Sequence, residues 1–303
     1  MKIFWLVSLI ILVAILLVLA SYILIGNITY NRCLNRNGKY KKSIQKNIQN
    51  HPQNLFAEDV ERVEIKSHDN LKLRGIFKQM GGEKLAILVH GYGGNCHQME
   101  PYVKIFATRN YDILAIDLRC HGKSEGDDIT MGENESKDLM LWVNKMLERN
   151  PQYKIILFGI SMGATSICLA CGNQLPQNVV LAIEDCGFSN AYNQLAHVYF
   201  KSKMAIKPIF KIFYSYTKRT KNFDLKKVDG VKALQKCKIP MLFIHGENDD
   251  FVPTENLKTL SSQLPETRKE TYIAPNSAHV QSYLNNPKSY TKVVENFLSK
   301  YYM

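Results

Sequence analysis

Before Glu58 the chain contains no acidic side chain, and nowhere in its 303 residues is there an internal repeat or a low-complexity tract. The lack of repeats excludes a solenoid or propeller, whose units recur at a fixed period. Cys33, Cys96, Cys120, Cys168, Cys171, Cys186 and Cys237 form an odd set without scaffold spacing, which argues against a small secreted fold stapled by disulfides. No cysteine–histidine spacing of the metal-binding kind is present, so no metal site is expected. The formal net charge is +12, yet no nucleic-acid-binding motif accompanies it, and no nucleic-acid partner is expected. Much of the excess sits beside one apolar run or within one basic insert.

That apolar run is Ile3 to Ile25, 23 residues without a charge. As a helix it would be roughly 35 Å long, against a bilayer core of about 30 Å. A cleaved leader is the alternative, with Val18-Leu19-Ala20 as a passable cleavage site. However, apolar sequence continues past that site, whereas a leader's apolar region is usually about 7–15 residues. The reading is an uncleaved single-pass anchor over 1–26. Residues 27–57 are polar and basic and read as a juxtamembrane linker or a short amphipathic helix lying on anionic headgroups, or else as a solvated tether. Arg32, Arg36, Lys39, Lys41, Lys42 and Lys46 follow the run and only Lys2 precedes it. Counting positive charges therefore puts the C-terminal side in the cytoplasm. A short basic start before an apolar run is also how exported chains begin, so the extracellular side stays open.

Residues 58–303 alternate strand and helix patterns. Val60 to Lys66 and Leu71 to Phe77 predict an edge hairpin turning at Asp69-Asn70. Apolar strands follow at Leu85–Val89, Ile113–Ile116, Ile155–Phe158, Val179–Ile183 and Met241–Ile244, with a weaker one at Lys269–Ile273. Helix patterns fall at Pro101–Arg109, Leu139–Leu147 and Tyr290–Tyr301. This alternation predicts an α/β fold, a mostly parallel central sheet with helices on both faces. The exception is 188–238, an aromatic and basic stretch without a strand, which reads either as a helical lid or lipid-facing surface or as ordinary packed cap helices.

The chemistry gathers where strands end, as it does in open α/β sheets. Lys154 to Phe158 runs into Gly159-Ile160-Ser161-Met162-Gly163, a G-x-S-x-G turn before a helix. A side chain two residues before or after the serine would strike the neighbouring strand or helix, hence the glycines. Taken alone, the motif also fits a glycine-rich turn with a passive serine. Downstream lie Asp249, after the Met241 strand, and His279, after the last strand, in the order Ser161…Asp249…His279. A serine hydroxyl attacks only when an imidazole takes its proton, and the imidazole needs a carboxylate to hold its tautomer. The backbone N–H groups of Tyr92, in the glycine-rich turn after the Leu85 strand, and of Met162 are the expected oxyanion donors. Asp185 is the rival acid. His90 and His245 open H-G turns with expected structural roles, and Asp117, Arg119 and His121 are expected to brace the site.

Over about Val60 to Tyr301 the chain resembles the α/β-hydrolase superfamily, and within it the single-pass, membrane-bound bacterial serine hydrolases. The resemblance is carried by His90-Gly91-Tyr92-Gly93, Asp117-Leu118-Arg119-Cys120-His121-Gly122-Lys123-Ser124, the Ser161 turn, His245-Gly246-Glu247-Asn248-Asp249-Asp250-Phe251-Val252-Pro253, and Ala278-His279. Within the H-G-x-x-D-x-x-V-P pattern the acid falls on Asp249, and Asp250 fails the spacing. The resemblance implies cleavage of carboxylic esters through a Ser161–His279–Asp249 triad and an acyl-enzyme, with no metal or organic cofactor; the aromatic insert and the apolar run extend the expectation to lipid-derived acyl esters. Two alternatives stay open: a peptidase or amidase using the same triad, and a silent hydrolase fold serving as a membrane-bound interaction module. Oligomeric state is not legible.

Overall fold

The computed structural model describes residues 2–36, 60–201, 206–221 and 223–301. Its first element is a long helix, α1 (Lys2–Cys33). A sheet follows in the order β1 (Glu61–Lys66), β2 (Lys72–Lys78), β3 (Lys84–Val89), helix α2 (Glu100–Ala107), β4 (Asp112–Ile116), α3 (Glu133–Arg149), β5 (Lys154–Ile160), α4 (Met162–Cys171) and β6 (Val179–Asp185). Next come α5 (Ala191–Lys201), α6 (Lys207–Thr220) and α7 (Gly230–Leu234). The chain closes with β7 (Met241–Gly246), α8 (Glu255–Ser261), β8 (Lys269–Ala274) and α9 (Pro287–Tyr301).

Eight strands lie in the spatial order β1-β2-β4-β3-β5-β6-β7-β8. The edge hairpin is antiparallel, and every pairing from β4 to β8 is parallel. This is the expected α/β-hydrolase arrangement. The central strands are apolar on both faces because each face carries helices. In β5, Ile155 and Leu157 point to the layer holding Trp142 of α3 and Ile167 of α4, while Ile156, Phe158 and Ile160 point to the layer of α2 and α9. The two-residue period of a strand makes this division automatic. The chain leaves β3 towards β4 on one side and continues to β5 on the other, so the strand order reverses beside β3. The loops after β3 and β5 therefore diverge and leave a crevice at the carboxyl edge.

α1 departs from the expected layout. It is long and apolar enough to cross a membrane, by length and composition, but it does not stop at residue 26. It continues to Cys33, so 27–33, read from the sequence as a linker or a separate short amphipathic helix, are a continuation of α1; 37–57 lie outside the described residues. Tyr30 and Leu34 are fully buried in the same core as α3 and α6. Tyr22, Gly26, Tyr30 and Leu34 recur every four residues, which places them on one helix face. That face packs on α6: a side chain on Gly26 would come within 2.5 Å of the Tyr216 ring. Hydrogen bonds from Ile129 N–H to the Leu34 carbonyl and from Arg36 N–H to the Asp127 carbonyl, both 2.8 Å, fasten the end of the segment to the domain.

Candidate active site

Ser161 stands between the last residue of β5 and the first of α4, with φ 52° and ψ −120°. This backbone conformation is strained for a residue with a side chain and survives only where its surroundings enforce it. Here the flanking glycines permit the enforcement. A Cβ on Gly159 would lie 2.7 Å from the Gly163 carbonyl carbon, and one on Gly163 would lie 2.3 Å from the Val89 carbonyl oxygen of β3. Helix and strand thus close on the turn from both sides. The Ser161 carbonyl accepts the first helical bond from Thr165 N–H at 3.0 Å, leaving Ser161 at the positive end of α4.

The structure brings Ser161, His279 and Asp249 together from three separate loops. Ser161 Oγ lies 2.8 Å from His279 Nε2, and His279 Nδ1 lies 2.7 Å from Asp249 Oδ2. Nδ1 faces a carboxylate, so it carries the proton, and Nε2 is left to accept from the serine hydroxyl. Asp249 Oδ1 accepts from the N–H groups of Phe251 (3.1 Å) and Val252 (2.9 Å). Burial opposes ionisation of Asp249, but hydrogen bonds from His245 and His279 outweigh it and hold the carboxyl well below its ordinary range. Asp250 points elsewhere, to an ion pair with Lys201 at 2.7 Å. Asp185, the rival acid, accepts instead from Ser282 Oγ and Tyr290 Oη at 3.2 and 3.0 Å, and burial raises its pKa to about 6.

The remaining histidines hold loops. His90 Nε2 accepts from Leu118 N–H at 3.0 Å while its Nδ1 meets the Gly91 carbonyl at 2.7 Å. His121 Nε2 accepts from Gly93 N–H at 2.9 Å, pinning the turn that carries Tyr92. Asp117 accepts from Cys96 N–H (2.7 Å) and Lys123 N–H (2.8 Å), and Arg119 is clamped by Asp138 and Asp69. The sequence did not single out a role for Glu184, which is fully buried in β6 and interacts with His245. His245 Nε2 meets the Val252 carbonyl at 2.9 Å and lies 3.4 Å from Asp249 Oδ2. Burial pushes the pKa of Glu184 up to about 8, and the charge of His245 partly opposes this. His245 Nδ1 and Glu184 Oε1 are both buried without a hydrogen-bond partner.

Above Ser161 opens a cavity of about 100 Å³. Tyr92 and Met162, the two expected N–H donors, line it together with Phe188, Leu195, Val198 and Phe251. Cys33, from the last turn of α1, also lines it and was not foreseen; the Tyr92 hydroxyl donates to the Cys33 carbonyl at 2.5 Å. Among the described residues, Cys186, Asp249 and His279 bring donor atoms within 4.8 Å of one another. Two of those donors are already bonded to each other, which leaves a poor seat for a metal.

Residues 83–202 match a sequence model described as serine aminopeptidase, S33. YqkD of Bacillus subtilis is 28% identical over 214 residues, covering 70% of each chain. Among solved structures, the Pyrococcus furiosus esterase Pf2001 superposes with a TM-score of 0.66 at 24% identity, over 80% of this chain and 91% of that one. The Pyrococcus horikoshii acylaminoacyl peptidase superposes with a TM-score of 0.60 at 21% identity, over 80% of this chain and 41% of that one. Likenesses this distant speak for the fold rather than the substrate, and with the strand order and the serine turn they establish that the chain has the α/β-hydrolase fold.

Proposed function

We propose that the chain is a serine hydrolase acting on carboxylic esters, tethered to a membrane by α1. The observation that carries this reading is the unbroken hydrogen-bond path from Ser161 Oγ through His279 to Asp249, at 2.8 and 2.7 Å. His279 Nε2 takes the hydroxyl proton as Ser161 Oγ attacks the ester carbonyl carbon. Asp249 stabilises the imidazolium without itself becoming protonated. The tetrahedral oxyanion is received by the N–H groups of Tyr92 and Met162, and losing one such donor costs about 3–4 kcal/mol in a comparable site. His279 then gives its proton to the departing alcohol, leaving Ser161 acylated. Water, deprotonated by His279, attacks the acyl carbon and releases the acid and the serine. No metal or organic cofactor enters these steps.

The cavity is apolar but short. An apolar hole of ~150 Å³ holds a benzene, so about 100 Å³ accommodates only the carbonyl-proximal part of an acyl chain. The match to a serine aminopeptidase model favours a second reading, an amidase using the same acyl-enzyme. An aminopeptidase must hold a free ammonium group, whereas the described residues lining this cavity are chiefly apolar and include no carboxylate, which favours the ester reading. The test is hydrolysis of p-nitrophenyl butyrate and of aminoacyl-p-nitroanilides by the wild type and Ser161→Ala. The expected outcome is ester cleavage lost in the variant, with anilides turned over far more slowly. A rate unchanged by Ser161→Ala would remove the proposal, and no cleavage by the wild type would leave a non-catalytic membrane-bound module as the better account.

A further inference from the structure

The cavity is too short for a long chain, so where its rim leads is decisive. One side of the rim is Cys33, only eight residues beyond Ile25, the end of the charge-free run. At ~1.5 Å per residue that is roughly 12 Å, a few ångströms beyond the ~5–8 Å headgroup layer of one leaflet. The domain does not hang clear of this helix. α6 already touches α1 at Tyr22, inside the charge-free run, where the Tyr22 hydroxyl donates to Ser215 Oγ at 3.1 Å. Tyr216 Oη reaches Asn27 Oδ1 at 3.2 Å, and Lys221 Nζ sits 4.5 Å from the Tyr30 ring centre. Contacts thus advance along both helices in the same sense, and the start of α6 points back towards the exposed apolar part of α1.

There the surface changes character. Leu195 and Val198 of α5 line the cavity, and Phe200 in the last turn of the same helix is 45% exposed; Ile206, just before α6, is 52% exposed. The Tyr199 hydroxyl ties the two ends together by accepting from Ile206 N–H and donating to its carbonyl, each at 3.1 Å. Lys207 and Lys211 stand exposed on the following turns. Exposed aromatic and aliphatic side chains ringed by lysines beside an apolar helix suit the boundary between acyl chains and anionic headgroups.

Taking Ser161 as the nucleophile, we propose that the end of α5 and the start of α6 are seated in the lipid surface beside α1, and that the site takes its substrate, a long-chain ester dissolved in that bilayer, directly from it. The acyl carbon next to Ser161 would occupy the cavity while the rest of the chain runs out between Cys33 and Val198 along the apolar rim. The bond broken is the acyl ester, and water supplies the hydroxyl as above.

The test uses the full chain in phosphatidylcholine vesicles containing phosphatidylglycerol, with 4-methylumbelliferyl palmitate and 4-methylumbelliferyl butyrate as substrates. The double variant Phe200→Ser, Ile206→Ser should lose roughly tenfold or more on the palmitate ester, in keeping with the apolar area withdrawn from lipid. Its rate on the butyrate ester should be unchanged. Equal loss on both esters, or no loss on either, overturns the proposal. So does loss on palmitate accompanied by dissociation of a dimer, which would give the patch to a second copy of the chain. Ser161→Ala in the same vesicles separates the two claims: hydrolysis surviving in that variant counts against the nucleophile, whereas the double variant reports on the lipid seat alone.

Discussion

At the scale of single residues, the site depends on groups held where their chemistry requires. Asp249 is fixed by two backbone donors and faces two histidines. Asp249→Asn should leave the fold intact while presenting His279 with an amide that no longer enforces its tautomer. The expected fall in kcat on p-nitrophenyl butyrate is about 10³–10⁴-fold; a fall below tenfold would mean another carboxylate supports His279. Glu184 gives a stability prediction. Its folded carboxyl titrates near 8 against 4.5 for a free one. Between those values the native state keeps a proton that the unfolded chain has lost, so this group's contribution is full below about pH 4.5 and disappears as pH rises through about 8. Glu184→Gln, which preserves the acceptor for Gly187 N–H, should flatten the decline of the melting temperature over that window. An unchanged slope would show that Glu184 is ionised in the fold. Asp249, depressed, has the opposite sign: its contribution is present at neutral pH and is lost on acidification.

At the scale of elements, the strands were legible because their signal is local. Ile155–Phe158 and Met241–Ile244 are short apolar runs, closed by Gly159 and by His245-Gly246, and they appear in β5 and β7. The helix pattern at Leu139–Leu147 marked only the apolar part of the buried stripe of α3: its first turns are buried through the polar Glu135, Ser136 and Asp138, and its last residues, Glu148 and Arg149, are exposed, so neither end carries an apolar period. α1 was misread for a related reason. Between Asn27 and Leu34 Tyr30 and Leu34 are buried, Thr29 and Cys33 are half-buried and the remaining polar and basic residues are exposed, so the average composition is that of a tether. The spacing Tyr22, Gly26, Tyr30, Leu34 was the available signal. If this turn is part of the core, Leu34→Ala should cost about 2–5 kcal/mol, read as a lowered denaturation midpoint of the detergent-solubilised protein. A shift within about 0.5 kcal/mol, as for a surface site, would return the segment to the role of linker.

At the scale of the molecule, a sheet whose strand order reverses beside β3 opens one crevice, and three loops far apart in sequence deliver Ser161, Asp249 and His279 to it. Their order along the chain made this meeting legible in advance, because a doubly wound sheet puts strand ends on a common edge. The cavity wall was not legible. Cys33, Leu195 and Val198 reach it from α1 and α5 through packing between distant helices, which no local pattern encodes. The central claim is that His279 makes Ser161 a nucleophile. Its most direct measurement is labelling with a fluorophosphonate probe followed by peptide mass spectrometry, for the wild type and His279→Ala. A phosphonyl adduct on Ser161 in the wild type, and none in the variant, is expected; an adduct on a different residue, or none on Ser161 in a chain that still cleaves esters, would contradict it.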